Sequence, residues 1–364
     1  MTRISHTQLF ALIVAFEVGS TTLFALGIGA KQNAWIVIIV AYIIGLGLLW
    51  VFTQIPKYYP HRTFSEILNE TLGKPLAKPL ILLFSLYFLH QTTHNFYEFG
   101  ALIKMTALAN TPLIVILYFF IFAIIYILSL GIEVLGRTVE IFLPYIIFFM
   151  VVIAILNMFS GEFELQNLRP VLNDIPSIMG EVPRVIAFPY GETVVFLTLW
   201  HFIRQQSAIR KSTYWAVGLS TFLLILSLIQ IIAVLGAELA SRTEIPLLET
   251  LLSINIAEII TNLDSIGVFL MFIGGFYKTA VHFLGFSLAM VWFFERHNPN
   301  WVIRIGGILL PLFSMYRFSS LDDQRWKGFE TGVYVILIYS FIPILLMLIL
   351  HLKNKTMKRK ESHQ

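Results

Sequence analysis

The chain has 364 residues, of which 57% are hydrophobic and 13% charged, with a mean hydropathy of +0.80; soluble domains carry about 45–50% apolar and about 25% charged residues, so a soluble globular protein is excluded. It has no cysteine, which excludes a disulfide framework, thiol catalysis and cysteine-bound metal. The net charge of +4 sits largely in short loops and a basic tail, which suits an anionic inner leaflet, so the basic balance does not imply a nucleic-acid partner and none is expected.

A bilayer core takes about 20 mostly apolar residues per helix. That template fits ten stretches, at about 8–30, 34–54, 79–103, 112–131, 141–160, 184–203, 214–236, 265–294, 302–318 and 331–351. The reading is one all-α integral membrane domain over 1–364. It comprises a first five-helix set (8–160), an outer loop (161–183), a second five-helix set (184–351) and a basic cytoplasmic tail (352–364). The N-terminus lacks the basic region and cleavage site of a signal peptide, so the first helix is expected to remain. With the N-terminus inside, inner segments hold sixteen Lys and Arg and outer segments eight, which predicts both termini inside.

The first span is interrupted at Glu17-Val18-Gly19-Ser20-Thr21-Thr22, where a carboxylate, a glycine and three hydroxyls stand at bilayer depth. The third carries Tyr87, His90, Gln91, His94, Tyr97 and Glu98 at spacings of three and four, which aligns them on one face. That face is either a hydrogen-bonded seam between helices or a pocket wall. The sixth span is interrupted at Phe188-Pro189-Tyr190-Gly191-Glu192, because proline removes a backbone donor and glycine admits conformations other residues resist. In the outer loop at 237–264, Leu247, Leu248, Leu251, Leu252, Ile256 and Ile259 recur with a helical period and predict an amphipathic surface helix. The eighth span carries a stripe of Gly274, Lys278, His282 and Gly285. Lys278 is too deep to reach the interface and is expected to pair with Glu17, Glu98 or Glu192, a choice the sequence leaves open.

Two halves of five helices must have opposite topology, and spans one and six then correspond. Paired interruptions at corresponding positions of inverted halves point to a midplane binding site in transporter folds. Free N–H groups of half-helices suit a carboxylate and exposed C=O groups an ammonium, so an amino acid zwitterion fits. The alternative is that each interruption is an ordinary membrane-helix bend. No cofactor is expected. His90 and His94 lack further ligands for a metal, and nothing supports an enzyme.

Three segments stand out together: Asn167-Leu168-Arg169-Pro170-Val171-Leu172, the Phe188-Pro189-Tyr190-Gly191-Glu192 break, and Val18-Gly19-Ser20 with Ala30-Lys31-Gln32-Asn33-Ala34-Trp35. They resemble the spore permease family, the B subunits of spore germinant receptors, within the amino acid–polyamine–organocation superfamily. The resemblance covers essentially the whole chain. It implies a leucine-transporter-type fold of ten helices, the spore inner membrane as location, and assembly with A and C subunits. It further implies a small germinant, which the family does not name, at Gly19, Ser20, Thr21, Tyr190, Gly191 and Glu192, with Tyr97 and Tyr277 or Lys278 as walls; the polarity of the breaks favours an amino acid. Glu17, Glu98, Glu192 and Lys278 are the candidates for charge or proton coupling. The expected function is a germinant-binding subunit that signals to its partners. The alternatives are a stand-alone proton-coupled amino acid symporter and an anchoring subunit with a vestigial pocket.

Overall fold

Apolar length and hydroxyl or glycine breaks divide the chain as follows in the structure, a computed structural model that describes residues 3–256, 260–261 and 263–361. The first helix, α1 (His6–Thr21), stops where the Thr21 and Thr22 hydroxyls turn back onto the carbonyl oxygens of Glu17 and Val18. Serine and threonine bonding of this kind competes with the helical ladder. The chain then runs irregularly through Gly27 (φ +72°) into a 3₁₀ turn over Ile28–Asn33. The first predicted span, 8–30, is therefore α-helical only in its N-terminal part.

There follow α2 (Ala34–Tyr58), the short α3 (Phe64–Leu72), α4 (Lys74–Thr106), α5 (Leu113–Leu130) and α6 (Ile132–Phe159). Helix α3 was not predicted, although Thr63 and Glu66 form a capping box at its start: the Glu66 N–H donates to the Thr63 hydroxyl at 3.2 Å and the Thr63 N–H to the Glu66 carboxylate at 2.7 Å. Helix α7 (Ile175–Val185) begins inside the segment read as outer loop 161–183, ahead of the predicted start at 184. Asp174 caps it by accepting from the Ser177 N–H at 3.1 Å. At Ile186–Tyr190 the helix widens by one residue, with Phe188 extended (φ −127°, ψ 111°), before 3₁₀ turns carry the chain through Gly191–Thr198.

Helix α8 (Ile209–Arg242) is interrupted at Gly236 (φ +72°), where the predicted seventh span ends. The predicted amphipathic helix is realised only as α9 (Pro246–Leu252). Ser253 turns the chain, and Ile256 belongs to a two-residue strand, β1 (Asn255–Ile256), paired antiparallel with β2 (Ile260–Thr261). Ile259, the last position of that pattern, lies outside the described residues. The chain closes with α10 (Asp264–Phe293), α11 (Asn300–Arg317), α12 (Leu321–Trp326), a wide turn over Lys327–Gly332, and α13 (Val333–Glu361).

Six helical stretches among the described residues are long and apolar enough to cross a membrane: Ile28–Tyr58, Leu113–Leu130, Ile132–Phe159, Gln206–Arg242, Ser265–Phe293 and Val333–Lys353. Large apolar side chains such as Phe119, Phe122, Ile141 and Phe148 are exposed on α5 and α6; a lipid environment satisfies them and water would not. Helix α1 is buried on every side, with Leu9, Leu12, Ile13, Val14, Ala15 and Phe16 fully enclosed. It packs against α6, α8 and α10, while α4 lies along α10. The two interruptions thus meet α4 and α10 in the interior of the bundle.

Candidate functional site

The site is built on a close helix crossing. A Cβ placed on Gly19 of α1 would lie 2.5 Å from the Gly274 carbonyl oxygen of α10, and one placed on Gly274 would lie 2.7 Å from the Gly19 oxygen. Only glycine on both sides admits this approach. One helical turn on from Gly274, Lys278 is fully buried, with Nζ 2.6 Å from Glu192 Oε2. The other carboxylate oxygen of Glu192 accepts from the Gln91 side-chain amide at 2.5 Å. Lys278 Nζ also lies 4.1 Å from the Phe188 ring centre and 5.2 Å from that of Phe16. A buried ion pair needs such further partners to offset its desolvation. The partner the sequence left open is therefore Glu192.

Beside this pair is a narrow cavity that opens toward solvent. Helix α4 supplies His90, Gln91, His94, Asn95 and Glu98; the sixth-span break supplies Phe188 and Glu192; α12 supplies Gln324 and Arg325; and Phe24, Gly328, Gly332, Val333 and Ile336 close it. Phe24, Phe188 and Arg325 also border a second, larger cleft of about 490 Å³ lined by Glu181, Arg184 and Glu244, so these three residues form the partition between the two. Arg325 stacks over Phe24 at 5.1 Å and donates to the Glu244 carbonyl oxygen at 2.9 Å. Behind the α4 wall, Arg317 donates to the His90 ring Nδ1 at 2.5 Å, to the His90 carbonyl oxygen at 3.1 Å and to the Thr93 hydroxyl. The Gln324 amide reaches His94 Nδ1 at 3.3 Å and its carbonyl oxygen at 3.2 Å.

The residues singled out from the sequence are distributed unevenly. Glu192 and Glu98 border the cavity, and Lys278 stands behind Glu192. Glu17 is buried with no hydrogen-bond partner for either carboxylate oxygen among the described residues, and it does not border the cavity. Gly19 forms the helix crossing, and the Thr21 hydroxyl is taken up by the Glu17 carbonyl oxygen; the Ser20 side chain lies outside the described residues. Tyr190 is directed away from the cavity. Its hydroxyl pairs with that of Thr221 at 3.0 Å, and its ring fills the space left by Gly45. Gly191 faces α13, where the Ser340 hydroxyl donates to its carbonyl oxygen at 3.0 Å. Tyr277 is buried against Phe276, their ring centres 5.2 Å apart. Tyr97 packs on Phe318 at 5.2 Å in a separate cluster with Ala101. The polar stripe on α4 is thus divided: Tyr87 stacks on Tyr339 at 4.3 Å, whereas His90, Gln91, His94 and Glu98 face the cavity.

Sequence reading missed Phe24, Asn95, Gln324, Arg325 and the α13 residues as walls. Asn95 is four residues from Gln91 and could have been read from that spacing, whereas nothing local marks Arg325. The Asn167–Leu172 and Ala30–Trp35 segments, separate in sequence, are joined by hydrogen bonds. Asn33 Oδ1 accepts from the Leu172 N–H at 2.8 Å, and its Nδ2 donates to Asn173 Oδ1 at 2.7 Å. Gln32 donates to the Pro170 carbonyl oxygen at 3.0 Å.

Comparison with solved structures places this helical fold among leucine-transporter-type transporters. MhsT in complex with L-phenylalanine superposes with a TM-score of 0.69 at 14% identity, over 96% of this chain and 89% of that one. Mhp1, a nucleobase-cation-symport-1 family transporter in a closed conformation with bromovinylhydantoin bound, gives a TM-score of 0.68 at 13% identity, over 96% and 78%. In sequence, the chain is 28% identical to spore germination protein KB of Bacillus subtilis (strain 168) over 366 aligned positions, covering 100% of this chain and 98% of that protein. The putative spore germination protein YfkT of the same organism is 32% identical over 244 positions, 65% of this chain and 64% of its own length. A family profile described as "Spore germination protein" matches residues 3–321. On that match the chain belongs to the spore permease family of spore germination proteins.

Proposed function

We propose that this chain is the nutrient-binding membrane subunit of a spore germinant receptor. Ten membrane helices in two inverted sets of five, 8–160 and 184–351, would hold a small nutrient, an amino acid, at the level of the two interruptions. Both termini would face the cytoplasmic side of the spore inner membrane, and A and C subunits would receive the signal as one helix set closes on the other. The chain would act by binding and not as an enzyme. The observation that carries this reading is the cavity itself. It lies where the sixth-span break meets α4, and its walls carry Glu192 and Glu98 among aromatic and aliphatic side chains. MhsT, of the same fold, is described in complex with an amino acid.

Spores carrying Glu192→Ala are expected to lose one nutrient response while the protein is made at normal level. Normal germination of those spores with every nutrient that needs this protein refutes the assignment. A second reading, a proton-coupled amino acid symporter, is favoured by Glu17, a buried carboxyl group without a hydrogen-bond partner. Accumulation of a labelled amino acid by liposomes under a proton gradient would support it, and uptake independent of the gradient would not.

A further inference from the structure

Resting on that reading of the cavity as a nutrient site, we infer that Glu98 takes the ligand's ammonium and Arg325 its carboxylate, so that the site selects an α-amino acid with an uncharged, apolar side chain. The formal charges around the cavity are not equivalent. Glu192 and Lys278 lie 2.6 Å apart and neutralise one another, and Gln91 occupies the remaining oxygen of Glu192. Glu98 and Arg325 are left. Glu98 is 7% exposed and borders the cavity, with no hydrogen bond or ion pair to its carboxylate among the described residues. Arg325 borders the same cavity from α12. One terminal nitrogen is used by the Glu244 carbonyl oxygen, while its Nε is buried without a partner.

One anionic and one cationic group in a single cavity are both matched by a molecule that carries an ammonium and a carboxylate a few bonds apart. A simple anion leaves Glu98 desolvated and unmatched, and a simple cation does the same to Arg325, at the full cost of burying that group. Gln324 Oε1, on the same wall and also buried without a partner, is a second acceptor for ammonium hydrogens. The His94 and His90 rings do not change this balance. Each has a ring nitrogen facing a donor, from Gln324 and Arg317 respectively, and a nitrogen that accepts a hydrogen bond carries no proton. Of the remaining walls, Asn95 spends its amide N–H on the Gln91 carbonyl oxygen at 2.8 Å, and Phe24, Phe188, Val333 and Ile336 are apolar and set the side-chain preference.

The test is thermal stabilisation of the purified full-length protein in detergent by the twenty proteinogenic L-amino acids. Each binder is then compared with its own carboxamide and its own des-amino carboxylic acid. An apolar amino acid is expected to bind, and both derivatives at least about tenfold more weakly, since a hydrogen bond to a charged group is worth about a factor of ten or more. Arg325→Gln should weaken the amino acid about tenfold and leave the carboxamide within about threefold, with Arg325→Lys intermediate. Glu98→Gln should do the same for the amino acid relative to its des-amino acid. Equal binding of acid and carboxamide by the unmodified protein overturns the assignment, and this comparison stands even if the variants do not fold. Binding of a sugar or nucleobase and of no amino acid overturns the zwitterion inference but leaves the nutrient site intact. Binding of none of these classes, together with normal germination of Glu192→Ala spores, overturns the nutrient site as well.

Discussion

Replacing Gly274 by alanine places a methyl group against backbone and not against a side chain that can rotate away. The new carbon would meet the Gly19 carbonyl oxygen at 2.7 Å and carbonyl carbon at 2.9 Å, whereas ordinary contacts begin near 3.4 Å. Helices α1 and α10 must therefore separate by close to an ångström along a crossing where α1 is buried on every side. Overpacking of this kind costs about 3 kcal/mol at the upper end of the usual range. With about 2.1 cal/mol/K of unfolding entropy per residue, that is a fall of about 4 °C in the melting temperature of the detergent-purified protein. Gly19→Ala should fall similarly, because its Cβ would lie 2.5 Å from the Gly274 oxygen. The double variant should fall by less than the sum, since one separation relieves both clashes. Gly47→Ala is the control: nothing lies within 4 Å of its Cβ position, and its melting temperature should not fall. A Gly274→Ala protein that melts within a degree of the unsubstituted one would refute the close crossing.

Lys278→Met should lower stability by about 3–5 kcal/mol by leaving Glu192 charged and buried, and Lys278→Met/Glu192→Leu should recover much of that loss in the same melting assay; a double variant no more stable than the single one contradicts the pairing. Asn33→Ala removes the bonds to Leu172 and Asn173 and should cost about 1–3 kcal/mol, with faster protease cleavage of the segment before α7; an unchanged cleavage rate argues against the contact. Thr63→Ala should cost about 1 kcal/mol through loss of the α3 cap. Partial burial raises the Glu66 carboxyl, but the Thr63 N–H and hydroxyl and Arg62 outweigh it and hold its pKa below the ordinary value. The cap is therefore fully present above the ordinary glutamate range and fades as the pH falls through the lowered value. The stability difference between Thr63→Ala and the parent protein should accordingly shrink below about pH 4.

The interruptions were legible because proline, glycine and hydroxyl residues at bilayer depth contradict an unbroken apolar helix, and the helix at Thr21 ends through the hydroxyls that made it conspicuous. Helix α3 was equally readable from Thr63 and Glu66, but its nine residues are too short to register as a span. The pattern at Leu247–Ile259 overran its helix, because periodicity does not weigh Ser253, where the chain turns into the strand at Asn255. In the site, the break positions were visible and side-chain direction was not. Tyr190 turns toward α2 because Gly45 leaves room for its ring, a fact held by a residue 145 positions earlier. Arg325 was invisible for the same reason: its place in the cavity depends on how α12 folds back over α4 after the ninth span.

The clasp between Asn33 and the segment ending at Asn173 has a mechanical consequence. Asn33 closes the irregular stretch that follows α1, and Asn173 leads through the Asp174 cap directly into α7, the first half of the interrupted sixth span. These arms of the two interruptions are therefore yoked by short hydrogen bonds at their far ends. A push on either arm is carried to the other without crossing the cavity, so the two arms should tilt together, as a pair of levers on a common link.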